Sequence, residues 1–169
     1  MRQKIVFRPL ADEEEALGYQ VLLNNRAWQR EKGIFLWDKP FPRNVYSERQ
    51  QRRENFGLFV DGQLAAMVSL VRGVPSYWSA SVDDPKAMWL CTLAVADGFH
   101  GKGLGKVIVE KAIAFLRESG HSVVWLDCPT GFLERFYKSL GFIPVTREQK
   151  FIPHAGRSLD CVLFKKPLI

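Results

Sequence analysis

The sequence predicts one α/β (α+β) domain built around a mixed sheet, and three observations carry that prediction. A chain of 169 residues can bury one proper core and is too short for two domains of ordinary size. Two apolar runs meet at Asp61 and Gly62, the dipeptide that best marks a two-residue hairpin, so two strands are antiparallel. From residue 88 onward the periodicities alternate as strand, helix, strand, helix, strand, which makes the sheet mixed and covers it with helices.

"KIVFRPL" (4–10) reads as the first strand. A helix is predicted over 11–33, with Asp12 as N-cap, Glu15 completing a capping box, Leu17, Val21 and Trp28 on one face, and Gly33 as its end. Residues 34–55 read as irregular around Pro40 and Pro42, then as a short exposed helix. Within it "RQQRRE" (49–54) reads as a solvated helix face; a nucleic-acid patch would need its cations gathered on one surface. "FGLFVDGQLAAMVSLVRG" is the hairpin, "VPSYWSASVDDPK" a loop and "AMWLCTLAV" (87–95) a buried strand. After a glycine stretch, Leu104, Ile108, Ala112 and Phe115 repeat on one helix face until Gly120. "SVVWLDC" (122–128) is an apolar strand. Thr130 is predicted to cap a helix over 131–140 that turns Leu133, Phe136, Tyr137 and Leu140 inward and stops at Gly141. "FIPVTR" and "LDCVLFKKPL" are the closing strands.

Composition narrows the class. Hydrophobic residues at 47% and charged residues at 25% are ordinary for a soluble globular protein, and no apolar run approaches the length of a membrane helix. The first residues show no signal core with a cleavage site, so a cytoplasmic protein is expected. Cys91, Cys128 and Cys161 form no CxxC pair and have no histidine at ligand spacing, so three free thiols and no metal are expected. A net charge of +6 suits anionic ligands, including a phosphorylated cofactor.

The stretch "LAVADGFHGKGLGKVIVEKAIAFL" (93–116) is where charge and structure conflict. A helix begins there among His100, Lys102 and Lys106, although a helix N-terminus is already positive and disfavours cations. A P-loop is excluded by spacing, because His100 stands where its first glycine belongs and Val107 where Ser or Thr belongs. A dinucleotide fingerprint fits poorly, because the third glycine comes one position early and "ADGFH" separates it from the strand. A mere tight turn leaves the cations unexplained. Successive backbone N–H groups at a helix start make an anion site, and flanking lysines suit a diphosphate.

At this point the chain resembles the GNAT superfamily of N-acyltransferases. Its signature, Arg or Gln, two residues, Gly, one residue, then Gly or Ala, corresponds to His100, Gly101, Lys102, Gly103, Leu104 and Gly105, with His at the first position. The pattern FYxxxGF, here Phe136, Tyr137, Gly141 and Phe142, is also typical, and the flanking elements over 88–142 come in the family's order. The first fifty-five residues resemble the family only in element order. The resemblance implies a mostly antiparallel sheet of six to seven strands, split between two central parallel strands, with acyl coenzyme A entering the split. It implies a binding set of Leu93, Ala94, Val95, His100, Gly101, Lys102, Gly103, Leu104, Gly105, Lys106, Thr130 and Tyr137, where Thr130 replaces an Asn common among relatives.

Acyl transfer from a thioester to an amine needs a donor for the departing thiolate, a site for the oxyanion and a base for the amine. By resemblance Tyr137 is the general acid and the Val95 N–H the oxyanion donor. Glu54, Asp83, Asp84 and Asp127 are all open as base, with Asp127 reading more simply as a cap on backbone groups at a strand end. His121 and His154 read as loop residues, and Cys91 as buried filler. Trp28, Phe35, Trp37, Phe41, Tyr46, Tyr77 and Trp78 either wall an acceptor pocket or belong to the core. The function expected is an acetyl-CoA-dependent N-acetyltransferase acting on a small-molecule or peptide amine; the alternative is an acyl-CoA-binding module without turnover. The acceptor, and whether the protein is a monomer or a homodimer, are left open.

Overall fold

The computed structural model describes residues 2–34 and 36–169. Strands β1 (Ile5–Pro9), β2 (Asn55–Val60), β3 (Gln63–Arg72), β4 (Met88–Val95), β5 (Val123–Pro129), β6 (Ile143–Ile152) and β7 (Arg157–Pro167) form one sheet in the order β1-β2-β3-β4-β5-β7-β6. Every neighbouring pair is antiparallel except β4 and β5. Helices α1 (Glu15–Glu31), α2 (Arg43–Gln51), α3 (Leu104–Glu118) and α4 (Phe132–Ser139) cover the sheet.

Period-two alternation divides the strands between two cores. Leu58, Ala66, Val68, Leu90 and Leu126 face α3 and α4, whereas Phe59, Met67 and Ala94 face α1 and α2. A third cluster joins Trp78, Trp89, Cys161 and Leu163. The hairpin turn is as predicted: Asp61 and Gly62 both take positive φ, 49° and 84°, which a type I′ turn requires. Gly18 is needed where α1 crosses α2, because a Cβ there would run into the Tyr46 hydroxyl and Leu10.

Several local expectations are corrected. Asp12 does not cap the first helix; residues 12–14 form a 3-10 turn, and Glu14 Oε1 accepts the Ala11 N–H at 2.8 Å. Arg8 grips the same carboxylate at 2.7 Å, so Glu14 rather than Glu15 anchors the helix start. Leu17 points to solvent. The helix at 43–51 is not simply exposed, since Tyr46 and Gln50 are buried. Thr130 does not cap α4; the cap is Gly131, at φ 107°, whose N–H approaches Glu134, and the Thr130 N–H donates instead to the Asp160 carbonyl at 3.0 Å. The loop at 74–86 holds a 3-10 turn, Ser76–Trp78, that sinks Trp78 into the core.

Candidate active site at the split in the sheet

The parallel pair is short. β4 and β5 pair only at Met88 with Val124 and Trp89 with Trp125, after which the strands part. The cause lies in β4, where three steps from Cys91 to Ala94 oppose two steps from Ser69 to Met67, so one residue is extra. Thr92 takes the strained place at φ 53°, an uncommon conformation for a β-branched residue. A one-way hydrogen-bond chain holds it. Thr92 Oγ1 donates to Ser69 Oγ at 2.7 Å, and Ser69 Oγ to Asn55 Oδ1 at 2.8 Å. Asn55 Nδ2 then donates to Gln50 Oε1, and Gln50 Nε2 to the Leu10 carbonyl. Bulged strands bend, and here the bend opens the sheet.

Beside the split, Gly101 and Gly103 sit at φ 76° and 73°, and Gly103 is the N-cap of α3 with no side chain bonded across it. A Cβ at either position would meet nothing within 4 Å, so the glycines serve the backbone conformation and leave the amides open. The first turn of α3 contains no acid. The cations are answered only weakly by protein: Lys106 lies 3.9 Å from Glu110, both exposed, and His100 lies 3.9 Å from exposed Asp97. These residues fit a diphosphate, which open amides and lysines at a helix start attract. His100 is held flat on Trp28, ring centroids 4.0 Å apart at an interplanar angle of 2°, and burial lowers its pKa. Trp28 therefore supports the loop and does not line the acceptor pocket.

A cavity of about 540 Å³ occupies the split and reaches both faces of the sheet. On the α4 side it is lined by Cys128, Leu133 and Tyr137; on the opposite side by Trp37, Phe41, Tyr77, Trp89, Asp127 and His154. Tyr137 is buried, packed edge-on against Phe136 and Phe142, and burial raises its phenol above the usual range. The α4 helix is fixed by Glu134, whose carboxylate bonds Arg147 and, at 3.1 Å, Lys138; the Arg147 guanidinium lowers its pKa to about 2.

Of the four acids open as base, only Asp127 lines this cavity. Its Oδ1 accepts the Trp89 Nε1–H at 3.2 Å; burial pushes its pKa up, against the opposing pull of side-chain hydrogen bonds and of one to its own backbone. Glu54 is occupied elsewhere, accepting the Arg72 N–H at 2.8 Å. Val95 N–H donates to Asn25 Oδ1 on α1 at 3.3 Å, while the next amide, Ala96, bonds back to β3. Cys91 lines the cavity too, but burial pushes its thiol up, so it is no ready nucleophile. All three cysteines are free.

Among the predicted aromatic residues, Trp37, Phe41 and Tyr77 line the cavity, Tyr46 and Trp78 are core, and Phe35 lies outside the described residues. His154 is a loop residue as expected, in the turn between β6 and β7, and its ring packs on Phe41 at 5.0 Å. The sequence reading missed Asn25 and Arg49. Asn25, with Arg26 and Gln29, continues the inward face of α1 begun by Leu22, and polar residues on an otherwise buried helix face were the available signal. Arg49 sits in the run "RQQRRE", which by itself reads as a solvated helix face.

The acetyltransferase (GNAT) family profile matches residues 22–142. No curated protein matches the chain in sequence. Among solved structures, a GNAT-family acetyltransferase from Listeria monocytogenes superposes with a TM-score of 0.78 at 21% identity, covering 96% of this chain and 94% of that one. The ribosomal-protein-S18-alanine N-acetyltransferase from Escherichia coli gives 0.70 at 20% identity, with 98% and 94% covered. The yncA protein of Salmonella typhimurium, solved with its cofactor acetyl-CoA, gives 0.72 at 17% identity, with 98% and 95% covered. With the profile spanning most of the chain and the split sheet at its centre, this protein belongs to the GNAT family of acetyltransferases.

Proposed function

We propose that the protein is an N-acetyltransferase that moves an acetyl group from acetyl-CoA to a primary amine by direct attack, with Tyr137 as general acid. The observation that carries this reading is that one cavity, opened by the β4–β5 split, has both Tyr137 and Asp127 on its walls. The residues suited to hold acetyl-CoA are the backbone of Leu93, Ala94 and Val95 along the split, and the loop and helix start from His100 to Lys106. Acetyl-CoA supplies the activated acyl group. Asp127, whose pKa is raised by burial, is a stronger base than an exposed carboxylate and takes the amine's proton. Val95 N–H, held by Asn25, serves the oxyanion once Asn25 yields it. The Tyr137 phenol stays protonated through neutral pH and donates to the departing sulfur.

Tyr137→Phe tests the assignment. It keeps the buried ring and removes only the hydroxyl, so kcat is expected to fall about 100-fold, the usual span for a positioned acid, while acetyl-CoA affinity holds. An unchanged kcat removes Tyr137 from the mechanism. A wild-type protein that binds acetyl-CoA and acetylates no amine is instead a binding module.

A further inference from the structure

Among the described residues, Arg49 is a cation without an anion. It reaches from α2 into the cavity, half-buried, donates from Nη1 to Thr92 Oγ1 at 3.2 Å, and lies with its guanidinium 5.0 Å from the Phe41 ring centroid. No carboxylate among the described residues lies within ion-pair distance of it. A guanidinium carries five N–H donors in a planar fork that matches a carboxylate, and one bond to a hydroxyl leaves most of that fork unused. Its charge reaches the cavity interior, where it opposes the rise in the Cys91 and Tyr77 pKa values and lowers that of His154. Withdrawing such a charge from water is costly unless an opposite charge meets it.

The other walls define the rest of a ligand. Asp127 is the single acid on the wall; Asn25, Arg26, Gln29 and His154 add polar groups, and much of the rest is apolar and aromatic, with Trp37, Val74, Tyr77 and Leu159. Arg26, also on the cavity wall, is tied to the loop before α2. The Asp38 N–H donates to the Ala155 carbonyl at 3.1 Å, joining the loop before α2 to the β6–β7 turn, and Arg26 Nη2 donates to the Asp38 carbonyl at 2.8 Å. A ligand that suits these walls carries an anion at one point, an amine at another, and apolar surface besides.

We propose that the acceptor is a free amino acid with a large apolar side chain, its carboxylate held by Arg49 and its amine turned toward Asp127. This rests on the acetyl-transfer reading of the same cavity and adds the acceptor class and the residue that selects it. An amino-acid amide or a peptide N-terminus presents a neutral amide to Arg49. A polyamine brings a second cation beside Arg49. An acidic or basic side chain strands a charge among aromatic walls.

The test measures binding and product formation separately. Leucine, methionine, phenylalanine and tryptophan, their amides, phenethylamine, a polyamine and an alanine-initiated peptide are titrated into the protein saturated with coenzyme A. Wild type is expected to bind at least one of the four amino acids about 10- to 100-fold more tightly than its amide, the range for a charge-assisted hydrogen-bonded pair. Arg49→Met is expected to erase that difference while leaving affinity for the amide, which doubles as the check that the variant is folded; Arg49→Lys restores part of it. Equal affinity for acid and amide, equal loss of both in Arg49→Met, or tighter binding of the polyamine or peptide overturns the proposal, as does no binding of any of the four. Acetylation of the same panel with acetyl-CoA then reads the underlying activity. Arg49-dependent binding without product keeps the amino-acid site and refutes acetyl transfer; product without acid preference does the reverse.

Discussion

Asp127 shows how one residue's surroundings set its chemistry. A carboxylate at a strand end in water titrates near pH 4, but this one is turned between Trp89 and the cavity, and burial raises its pKa. The same shift acts on stability. A carboxyl whose folded pKa lies above its unfolded value binds more protons folded than unfolded, so its contribution falls as pH rises from about 4 through the raised folded pKa, then levels. Asp127→Asn removes that loss and can still accept the Trp89 N–H. Urea unfolding across pH is expected to show the variant gaining on wild type as pH rises from about 4, while its acetyl transfer is severely reduced. A stability difference independent of pH would mean that Asp127 titrates normally and is a poor base.

At the scale of elements, the loop before α3 performs by backbone conformation what side chains do elsewhere. Gly103→Ala places a Cβ in open space, so its effect is confined to the left-handed φ of 73°, a cost of about 1 kcal/mol. Chemical denaturation is expected to show that loss, and acetyl-CoA affinity is expected to fall with it because the amides shift. Unchanged affinity would separate the loop from the phosphate. This element was legible because glycine spacing and charge sign are local properties. So were the hairpin at Asp61 and Gly62, the apolar face of α3, the stop at Gly141 and the Phe136-Tyr137 pair. What sequence concealed depends on the third dimension. The extra residue at Thr92 is a mismatch between two strands and has no signature in either alone. A cap at Asp127 is a local reading, and nothing local says that Trp89, 38 residues away in sequence, donates to it. Arg49 looked solvated because its neighbours in "RQQRRE" are, yet one turn of α2 points it at the cavity. Cap positions at Asp12 and Thr130 went wrong by one or two residues, as expected where side chains compete for the same orphan amides.

For the whole molecule, the fold's organising feature is a sheet that stops pairing at its centre. β4 and β5 hold together over two residue pairs, and the separation beyond them is kept by the bulge, by the buried hydrogen-bond chain from Thr92 to Leu10, and by α1 and α4 on opposite faces. A cavity through a core forfeits packing contacts, so a ligand that fills it should stabilise the entire domain. The net charge of +6 favours anionic arrivals at the α3 start. The direct measurement is thermal unfolding with acetyl-CoA, with NAD at the same concentration as control. At a hundredfold excess over its Kd a ligand adds about 2.7 kcal/mol, which at this chain length raises Tm by roughly 5 to 10 °C. A rise with acetyl-CoA and none with NAD is the result the split sheet predicts; no rise, or an equal rise with NAD, would contradict it.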